Sequence, residues 1–448
     1  MKTNIQSFWE SLRSSYWFIP SLMVIFAFGL SFLTQQLDDR FQFQIGGAFP
    51  GVFQGGPDGA RSMLATIAGS MITVASVTFS ITIAALANAS SQFGPRLLRI
   101  FMQDTGSQIV LGTFVGTFIY CLMALRLVPV EETTDYVPHL STSMALVLAL
   151  ASIGVLIFFI HHMATMLQVS NVTARVGEEM IESINSLFPE DLGWGGESDE
   201  RPDAVRLSEM SGSVVPDSNQ RGILAERIGY IRAIDEETLM ELAVDHDVVI
   251  RIALRPGVFI VPDALLAVVW PSERATKELS GALQEVFLVG SGRTPFQDIE
   301  LYFDELIEIA LRALSPGIND PYTAFTCIDW LTAGVTSLAN LRMPSRYRYD
   351  RDGELRIIAD NPQMDELIDR IFDRIRNAGA GHPSVLRKLL EAAITIGPLL
   401  DEREEVDVLR RQLAALDEVV RSAPFVEHER RELTNRYRDA IHALGSTR

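Results

Sequence analysis

The chain has 448 residues, of which 48% are apolar, and its formal net charge is −19. Nucleic-acid-binding proteins need clustered Lys and Arg for their phosphate contacts, so this charge argues against nucleic acid as a partner. The two cysteines, Cys121 and Cys327, form no CxxC pair, and we expect neither a structural disulfide nor a zinc site. An apolar first part followed by a charged second part indicates a membrane domain joined to one or two soluble domains.

Residues 14–37 contain no charged side chain and are predicted to form the first membrane span. The apolar run is long and no small-x-small cleavage site follows it, which favours an uncleaved anchor over a signal peptide. Residues 38–61 are rich in Gly, Pro and Phe and are predicted to form a connector outside the cytoplasm.

The second predicted span, residues 62–95, is an uncharged run of 34 residues. A helix of this length extends roughly 50 Å, which exceeds the ~30 Å of bilayer hydrocarbon. At 100° per residue, one stripe of the helix holds only small or weakly polar side chains: Ser62, Thr66, Gly69, Thr73, Ser76, Val77, Ser80, Ala84, Ala87 and Ser91. Larger residues, among them Leu64 and Met71, occupy the opposite side and suit lipid or an outer helix.

This small-residue stripe has two interpretations. Small side chains let helices approach closely, and their hydroxyls can bond to the carbonyl four residues earlier or across the interface. Alternatively, the stripe faces its symmetry mates around an axis and lines a pore. After the stripe, Gly94 and Pro95 predict a bend that could serve as a gate hinge or as a simple turn, leading into a short interfacial amphipathic helix over 94–104.

Residues 105–125 and 140–160 are predicted to form the third and fourth spans. Gly112 and Gly116 make a GxxxG pair, which predicts tight packing of the third span on a neighbouring helix. A helix is predicted to continue from the fourth span through residue 188.

Loop charges predict the orientation of the spans. Lys2 and Arg13 precede the first span, and Arg96 and Arg99 lie between the second and third, whereas the loop 126–139 is acidic. The positive-inside rule then places both termini in the cytoplasm. His161 and His162 would emerge at the cytoplasmic interface, as interfacial histidines or, alternatively, as a metal or pH-sensing site.

The soluble half begins with a polar linker at about 189–218, whose composition cannot support a packed core. Short β-rich runs follow within 219–271, with a helix between the first two, for which Asp235 is the predicted N-cap. These runs are similar to half of a lipoyl-type or biotinyl-type barrel. No lysine occurs between Lys2 and Lys277, however, so a swinging-arm carrier is excluded and a barrel-like structural adaptor remains.

Residues 272–340 are predicted to be helical over 272–289, over 297–314 and from Pro321 onward. Asp320 can cap the last of these helices. The polar turn at 315–321 is therefore predicted to be a well-capped connection, with a ligand or cation site at Asn319 and Asp320 as the alternative.

The remaining residues are predicted to form a two-strand hairpin and a helical region. The hairpin covers 346–359 and turns at Asp352 and Gly353. Three amphipathic helices are predicted within 361–445, with breaks near Gly379–Pro383, Gly397–Pro398 and Ala423–Pro424.

Motifs for catalysis are missing from the sequence: there is no Walker A loop, GxGxxG, HExxH or GxSxG. No close spacing of His and carboxylate residues assembles a nucleophile–base pair or a metal site. We therefore expect a protein that is not an enzyme and that holds no cofactor or metal.

Two runs of the sequence carry a resemblance to a known family. The runs AGSMITVASVTFSITIAALANASSQFGPRLLRIFMQD and ALSPGINDPYTAFTCIDWL resemble the bacterial membrane-protein family of domain of unknown function 2254. This resemblance implies a bacterial inner-membrane protein and implies no particular activity. A looser similarity is to small-conductance mechanosensitive channels, which place a small-residue pore helix before a bend and a cytoplasmic β-containing domain. Here, two further spans follow the long helix.

The predicted fold is an α-helical polytopic membrane domain of four spans followed by an α+β cytoplasmic region with a small β-barrel-like domain and a helical bundle. Its predicted parts are the membrane domain (1–165), a helical extension and flexible linker (166–218), a small β-rich domain (219–271) and a mainly helical domain (272–448).

We predict a homo-oligomeric inner-membrane protein that conducts inorganic ions, with the second span lining the pore and the cytoplasmic domain assembling or gating it. The alternative is a non-conducting membrane scaffold or sensor that acts through its cytoplasmic domain. A secondary transporter is disfavoured because its usual charged coupling residues are missing from the spans.

Overall fold

The computed structural model describes residues 16–41, 56–93, 102, 104–128, 137–166, 168–187, 219–341, 345–359 and 363–445. The chain folds as two compact units, Met1–Asn171 and Val172–Arg448. Residues 42–55 of the predicted connector (38–61), most of the interfacial segment 94–104 and the whole predicted linker at 189–218 lie outside the described residues.

The first unit contains four helices that are long and apolar enough to cross a membrane, as predicted: α1 (Phe18–Phe41), α2 (Pro57–Phe93), α3 (Thr105–Leu125) and α4 (His139–Met166). Two of their ends differ from the sequence prediction. α1 continues past residue 37 and includes Asp38, whose carboxylate bonds to the start of α4. α2 begins five residues before Ser62, with proline at its first position, where the missing N–H costs least.

α3 packs against the other helices of the membrane unit and buries ten of its residues. Its GxxxG pair faces α1, as the sequence predicts. A Cβ on Gly112 would lie 2.5 Å from the sulfur of Met23, and a Cβ on Gly116 would lie 3.5 Å from the Met23 carbonyl oxygen. The two glycines therefore allow the α1 backbone to approach α3 closely.

The helix predicted to continue through the end of the fourth span is interrupted. α4 ends at Met166, and α5 (Val169–Leu187) begins a new helix. The side-chain amide of Asn171 donates to the carbonyl oxygen of Thr165 at 2.7 Å and satisfies a carbonyl that the broken helix leaves open. The prediction of one continuous helix was therefore wrong.

The second unit contains two β-sheets rather than a closed barrel in the described part of the chain, so the barrel-like detail is not confirmed. One sheet has the strand order β1-β5-β3-β8-β7 and the other has the order β4-β2-β6. The strands are β1 (Arg221–Leu224), β2 (Gly229–Ile234), β3 (Val249–Ile252), β4 (Phe259–Ile260), β5 (Leu265–Trp270), β6 (Phe287–Gly290), β7 (Tyr347–Tyr349) and β8 (Leu355–Ile358).

The predicted hairpin at 346–359 is present, and it belongs to the larger sheet. β8 pairs in parallel with β3, where Ile250 lies opposite Ile357. Gly353 has φ +83° at the turn, a conformation that favours glycine. This sheet therefore joins strands from both of the segments predicted as separate, 219–271 and 272–448.

Two helices lie among the strands, α6 (Glu236–Asp245) and α7 (Lys277–Val286). Asp235 caps α6 by accepting from the N–H of Thr238, as predicted. The predicted helix over 272–289 is shorter than expected, because its last apolar residues leave the helix and form β6. There, Phe287 lies opposite Ile234 of β2.

Six helices complete the unit: α8 (Glu300–Ala313), α9 (Pro321–Asn340), α10 (Met364–Ala378), α11 (Pro383–Ile396), α12 (Arg403–Ser422) and α13 (Glu427–Gly445). The sequence predicted three helices after residue 361, but its three breaks separate four. On α12, Leu409, Leu413 and Leu416 are fully buried. This apolar face of α12 therefore packs within the chain.

Candidate functional site

The small-residue stripe of α2 faces away from the rest of the membrane unit. Nine of its ten predicted members are exposed: Ser62, Thr66, Gly69, Thr73, Ser76, Val77, Ser80, Ala84 and Ala87. The tenth, Ser91, lies in α2, but its side chain is outside the described residues, as are Gly94 and Pro95 of the predicted hinge.

The outward direction of the stripe follows from packing on the other side of α2. Leu64 and Ala68 are buried in one apolar cluster with Tyr120 of α3, and Met71 and Ala75 are buried in a second cluster with Phe114. The buried side of α2 also holds Ala60 and Ala89, and the stripe lies on the side of the helix away from these contacts.

The hydroxyls of the stripe bond to carbonyls of their own helix, one turn earlier. Thr66 donates to Ser62 at 2.7 Å, Thr73 donates to Gly69 at 2.8 Å and Ser80 donates to Ser76 at 2.9 Å. Each hydroxyl proton is therefore satisfied without a partner outside the helix, while oxygen lone pairs remain on the exposed surface.

The other outward surfaces of the membrane unit are different in kind. Large apolar side chains dominate the exposed faces of α1 and α4: Leu22, Ile25, Phe26, Phe28, Phe32 and Leu33 on α1, and Leu146, Val147, Leu150, Ile153, Ile157, Phe158 and Ile160 on α4. The largest side chain on the α2 stripe is Val77. α1 and α4 thus present lipid-like faces, whereas α2 presents a small, hydroxyl-bearing stripe flanked by the exposed side chains of Ile72, Phe79, Ile81 and Ile83.

Two polar contacts of the membrane unit were not predicted from the sequence. Asp38 of α1 accepts hydrogen bonds at the N-terminus of α4, and Tyr120 donates to the carbonyl of Ser141 beside it. At the other end, Nε2 of His162 lies 2.8 Å from Oδ2 of Asp104, and Asp104 also caps α3. His162 therefore contacts a helix cap, whereas His161 is exposed.

The turn at Asn319 and Asp320 has the geometry of a helix cap. The carboxylate of Asp320 accepts from the N–H groups of Tyr322 and Thr323 and from the Thr323 hydroxyl at 2.6 Å. Asn319 is exposed and has φ +53°, which asparagine tolerates better than most residues. The predicted cap is confirmed, and the ligand site at this turn stays a prediction.

A charge cluster near β4 and α8 was also missed by sequence reasoning, because charged residues at the spacing of Arg293, Asp298 and Asp304 match no known motif and their further partners, such as Arg255 and Arg370, are distant along the chain. Arg293 donates to both carboxylate oxygens of Asp298, at 2.7 and 2.9 Å, and to Asp304 at 2.7 Å. Burial raises the pKa of Asp298 above its usual value even though Arg293 opposes this shift. Further ion pairs extend the cluster through Arg255, Glu300, Glu366, Arg370 and Arg374.

This Arg293 cluster joins the smaller sheet to the helices. Gln297, which precedes Asp298, donates to and accepts from the backbone of Ile234 on β2. A Cβ on Gly257, where φ is +91°, would lie 2.4 Å from Asp298. The paired charges and close packing indicate a structural role. Among the described residues, no three His, Cys, Asp or Glu side chains come together as a metal site.

Comparison with known proteins identifies relatives over most of the chain. The family described as "Predicted membrane protein (DUF2254)" matches residues 13–395. Uncharacterized protein Rv1290c of Mycobacterium tuberculosis is 31% identical over 390 residues, which cover 85% of this chain and 71% of the relative. Uncharacterized protein Mb1321c of Mycobacterium bovis shows the same identity and coverage. No solved structure matches.

Proposed function

Because the chain belongs to the family of predicted membrane proteins with domain of unknown function 2254, we propose that it acts in a bilayer as a homo-oligomeric ion channel of the bacterial inner membrane. In this proposal both termini lie in the cytoplasm. The stripe of α2 lines the pore, and the second unit assembles or gates it.

One observation carries the proposal: the outward faces of the four spans differ. The faces of α1 and α4 offer large apolar side chains such as Phe28 and Ile157, which match lipid tails. The α2 stripe offers Ser, Thr, Gly and Ala instead, with hydroxyl oxygens available to a hydrated ion. Copies of the chain arranged around α2 would remove these oxygens from lipid and surround an axis with them.

The chemistry of the stripe favours weak selectivity among ions. No charged residue lies on it, so no ring of fixed charge would select cations from anions. Ser and Thr oxygens can replace part of an ion's hydration shell but hold it weakly. The missing charges in the middle of α2 also disfavour a coupled transporter. We propose that the protein is not an enzyme.

A short connection links the fourth span to the second unit. α5 starts at Val169, three residues after the end of α4, and its residues Val172, Val176 and Met180 are buried in the second unit. This connection supports a role for the second unit in gating.

Ion flux through the purified full chain in liposomes tests the proposal, with the wild type compared with Ser80→Trp. We expect flux under K⁺, Na⁺ or Cl⁻ gradients, including after osmotic downshift, and its loss in Ser80→Trp. Ile81→Trp is the matched control, because Ile81 is also exposed but lies off the stripe, and it should conduct. Both variants must retain the oligomeric state of the wild type. Absence of wild-type flux would contradict conduction, and equal flux in both variants would contradict pore lining by α2.

The second candidate is a non-conducting scaffold or sensor in which the α2 stripes only pack against one another. The hydroxyl bonds of Thr73 and Ser80 to their own helix favour this alternative, since small residues with satisfied hydroxyls permit close helix packing. In that case Ser80→Trp would disrupt the oligomer, and the wild type would pass no ions.

A further inference from the structure

A cavity of about 210 Å³ lies in the membrane unit, at the end where α3 begins and α4 ends. Phe79, Ile83 and Leu86 of α2 form one wall. Met102, before α3, and Met163 and Met166, near the end of α4, form much of the rest. The cavity therefore lies between one flank of α2 and the ends of two other spans.

The cavity is continuous with the surface that the bilayer covers. Phe79 is 46% exposed and Ile83 is 47% exposed, although both line the cavity. Both belong to a helix that is long and apolar enough to cross a membrane, so their exposed sides are open to lipid wherever no other copy of the chain covers them. The opening of the cavity is therefore in direct contact with the acyl chains of the bilayer.

The walls are mostly apolar and suit an alkyl chain, and the hydroxyls of Tyr16, Thr82 and Ser107 also line the cavity. No charged side chain is present among the described lining residues. The hydroxyl of Thr82, which also lines the cavity, already donates to the carbonyl of Thr78 at 2.9 Å. The three methionines provide flexible, polarizable surfaces that adapt to the shape of an occupant.

We infer that this cavity binds one acyl chain of a phospholipid from the surrounding leaflet. A phospholipid is favoured over a water-soluble hydrophobic molecule because its acyl chains already lie beside the opening. A molecule from water would first have to cross the headgroup region of the bilayer. This site is distinct from the α2 stripe. The inference does not depend on ion conduction.

Photolabelling of the full chain in lipid nanodiscs tests the inference. A small fraction of the phospholipid carries a diazirine near the end of one acyl chain, and labelled residues are located by peptide mass spectrometry after irradiation. We expect label on the buried Met163 or on Met166 in addition to the outward residues of α1 and α4, whereas Met102 is itself 38% exposed and its label does not distinguish the cavity from bulk lipid. Label on the outward residues alone would overturn the inference.

A cavity-filling variant gives the second part of the test. Ala85 lines the cavity, so Ala85→Phe should abolish the label on Met163 and Met166 while leaving the label on the outward residues of α1 and α4. Ala151→Phe is the matched control, because Ala151 is exposed on α4 away from the cavity, and it should leave all labels unchanged.

If Ala85→Phe fails to fold, Leu86→Trp fills the same space from another position. If the methionine label is unchanged in a cavity-filling variant that folds, the cavity is not the site where the acyl chain binds. A diazirine-bearing free fatty acid is tested in parallel, and label from the fatty acid without label from the phospholipid would overturn the assignment to phospholipid.

Discussion

The carboxylate of Asp38 accepts a hydrogen bond from the backbone N–H of Ser141 at 2.9 Å, although the two residues are 103 positions apart in the chain. The same carboxylate accepts from the N–H of Leu140 at 2.8 Å and from the Ser141 hydroxyl at 2.6 Å. The end of α1 thereby supplies the cap for the start of α4. In an apolar surrounding these N–H groups would otherwise remain unsatisfied.

Replacement of this cap should destabilise the membrane unit. We expect Asp38→Ala to lower the free energy of unfolding by about 1–3 kcal/mol, the range for a lost hydrogen bond to a charged group. The thermal unfolding midpoint of the detergent-solubilised chain measures the loss. Asp39→Ala is the control, because Asp39 is adjacent but exposed, and its effect should be smaller. Equal thermal unfolding midpoints for the two variants would contradict the role of Asp38 as the cap of α4.

Two helix glycines in the second unit should respond to alanine with opposite signs. A Cβ on Gly177 of α5 would lie 2.1 Å from the indole ring of Trp330, so Gly177→Ala must displace a packed aromatic side chain. Overpacking of this kind costs about 1–3 kcal/mol. Gly281 of α7 is exposed with open space around it, so Gly281→Ala should stabilise by about 0.5–1 kcal/mol through helix propensity. Thermal unfolding of the two variants beside the wild type measures both effects, and a shift of the same sign would be inconsistent with this packing.

The hairpin turn should lose stability in acid through Asp350. Desolvation acts to raise the pKa of Asp350, but the hydrogen bonds from Arg356 and from the N–H groups of Glu354 and Asp352 outweigh it and hold the pKa below the usual value. A lowered carboxyl pKa stabilises the fold fully above the unfolded value of about 3.9, and this stabilisation is lost as the pH falls through the folded pKa.

The variant Asp350→Asn should therefore be less stable than the wild type at pH 7, by about 1 kcal/mol, and the difference should shrink as the pH falls below about 4. Unfolding midpoints of both proteins across this range provide the measurement. A difference that stays constant down to pH 2.5 would show that the negative charge of Asp350 is not the cause.

Cysteine cross-linking should reveal whether α2 faces other copies of the chain. In native membranes treated with an oxidant, Ser80→Cys should form disulfide-linked dimers, whereas Ile153→Cys on the lipid-like face of α4 should not. The native Cys121 and Cys327 are buried and should give little background. Cross-linking through Ile153 in preference to Ser80 would place α4, instead of α2, at the subunit contact.

Local signals in the sequence predicted those elements whose causes are local. Uncharged runs predicted the four spans, because the bilayer excludes charge from any helix that crosses it. Asp235 and Asp320 were predicted as caps, since a cap depends on residues within three positions. The small-residue stripe followed from helical periodicity, but its exposure required knowledge of how Leu64 and Met71 pack on α3.

Features that depend on distant parts of the chain were not predicted. Asp38 was assigned to a loop because a charge normally ends a span, and nothing near it in sequence identifies Ser141 as its partner. The pairing of Ile250 with Ile357 has no local signal either, because any β-rich run could pair with β3. Phe287 was assigned to a helix, since a short apolar run at a helix end fits either structure.

The parallel pairing of β3 with β8 has a consequence for synthesis of the protein. β8 leaves the ribosome about 100 residues after β3, and at the usual rate of about 5–20 residues per second this interval lasts roughly 5–20 s. During that time one edge of β3 lacks its native neighbour and is available to strands of other nascent chains. Slow translation between β3 and β8 would lengthen this exposure, and the yield of correctly assembled protein would fall with it.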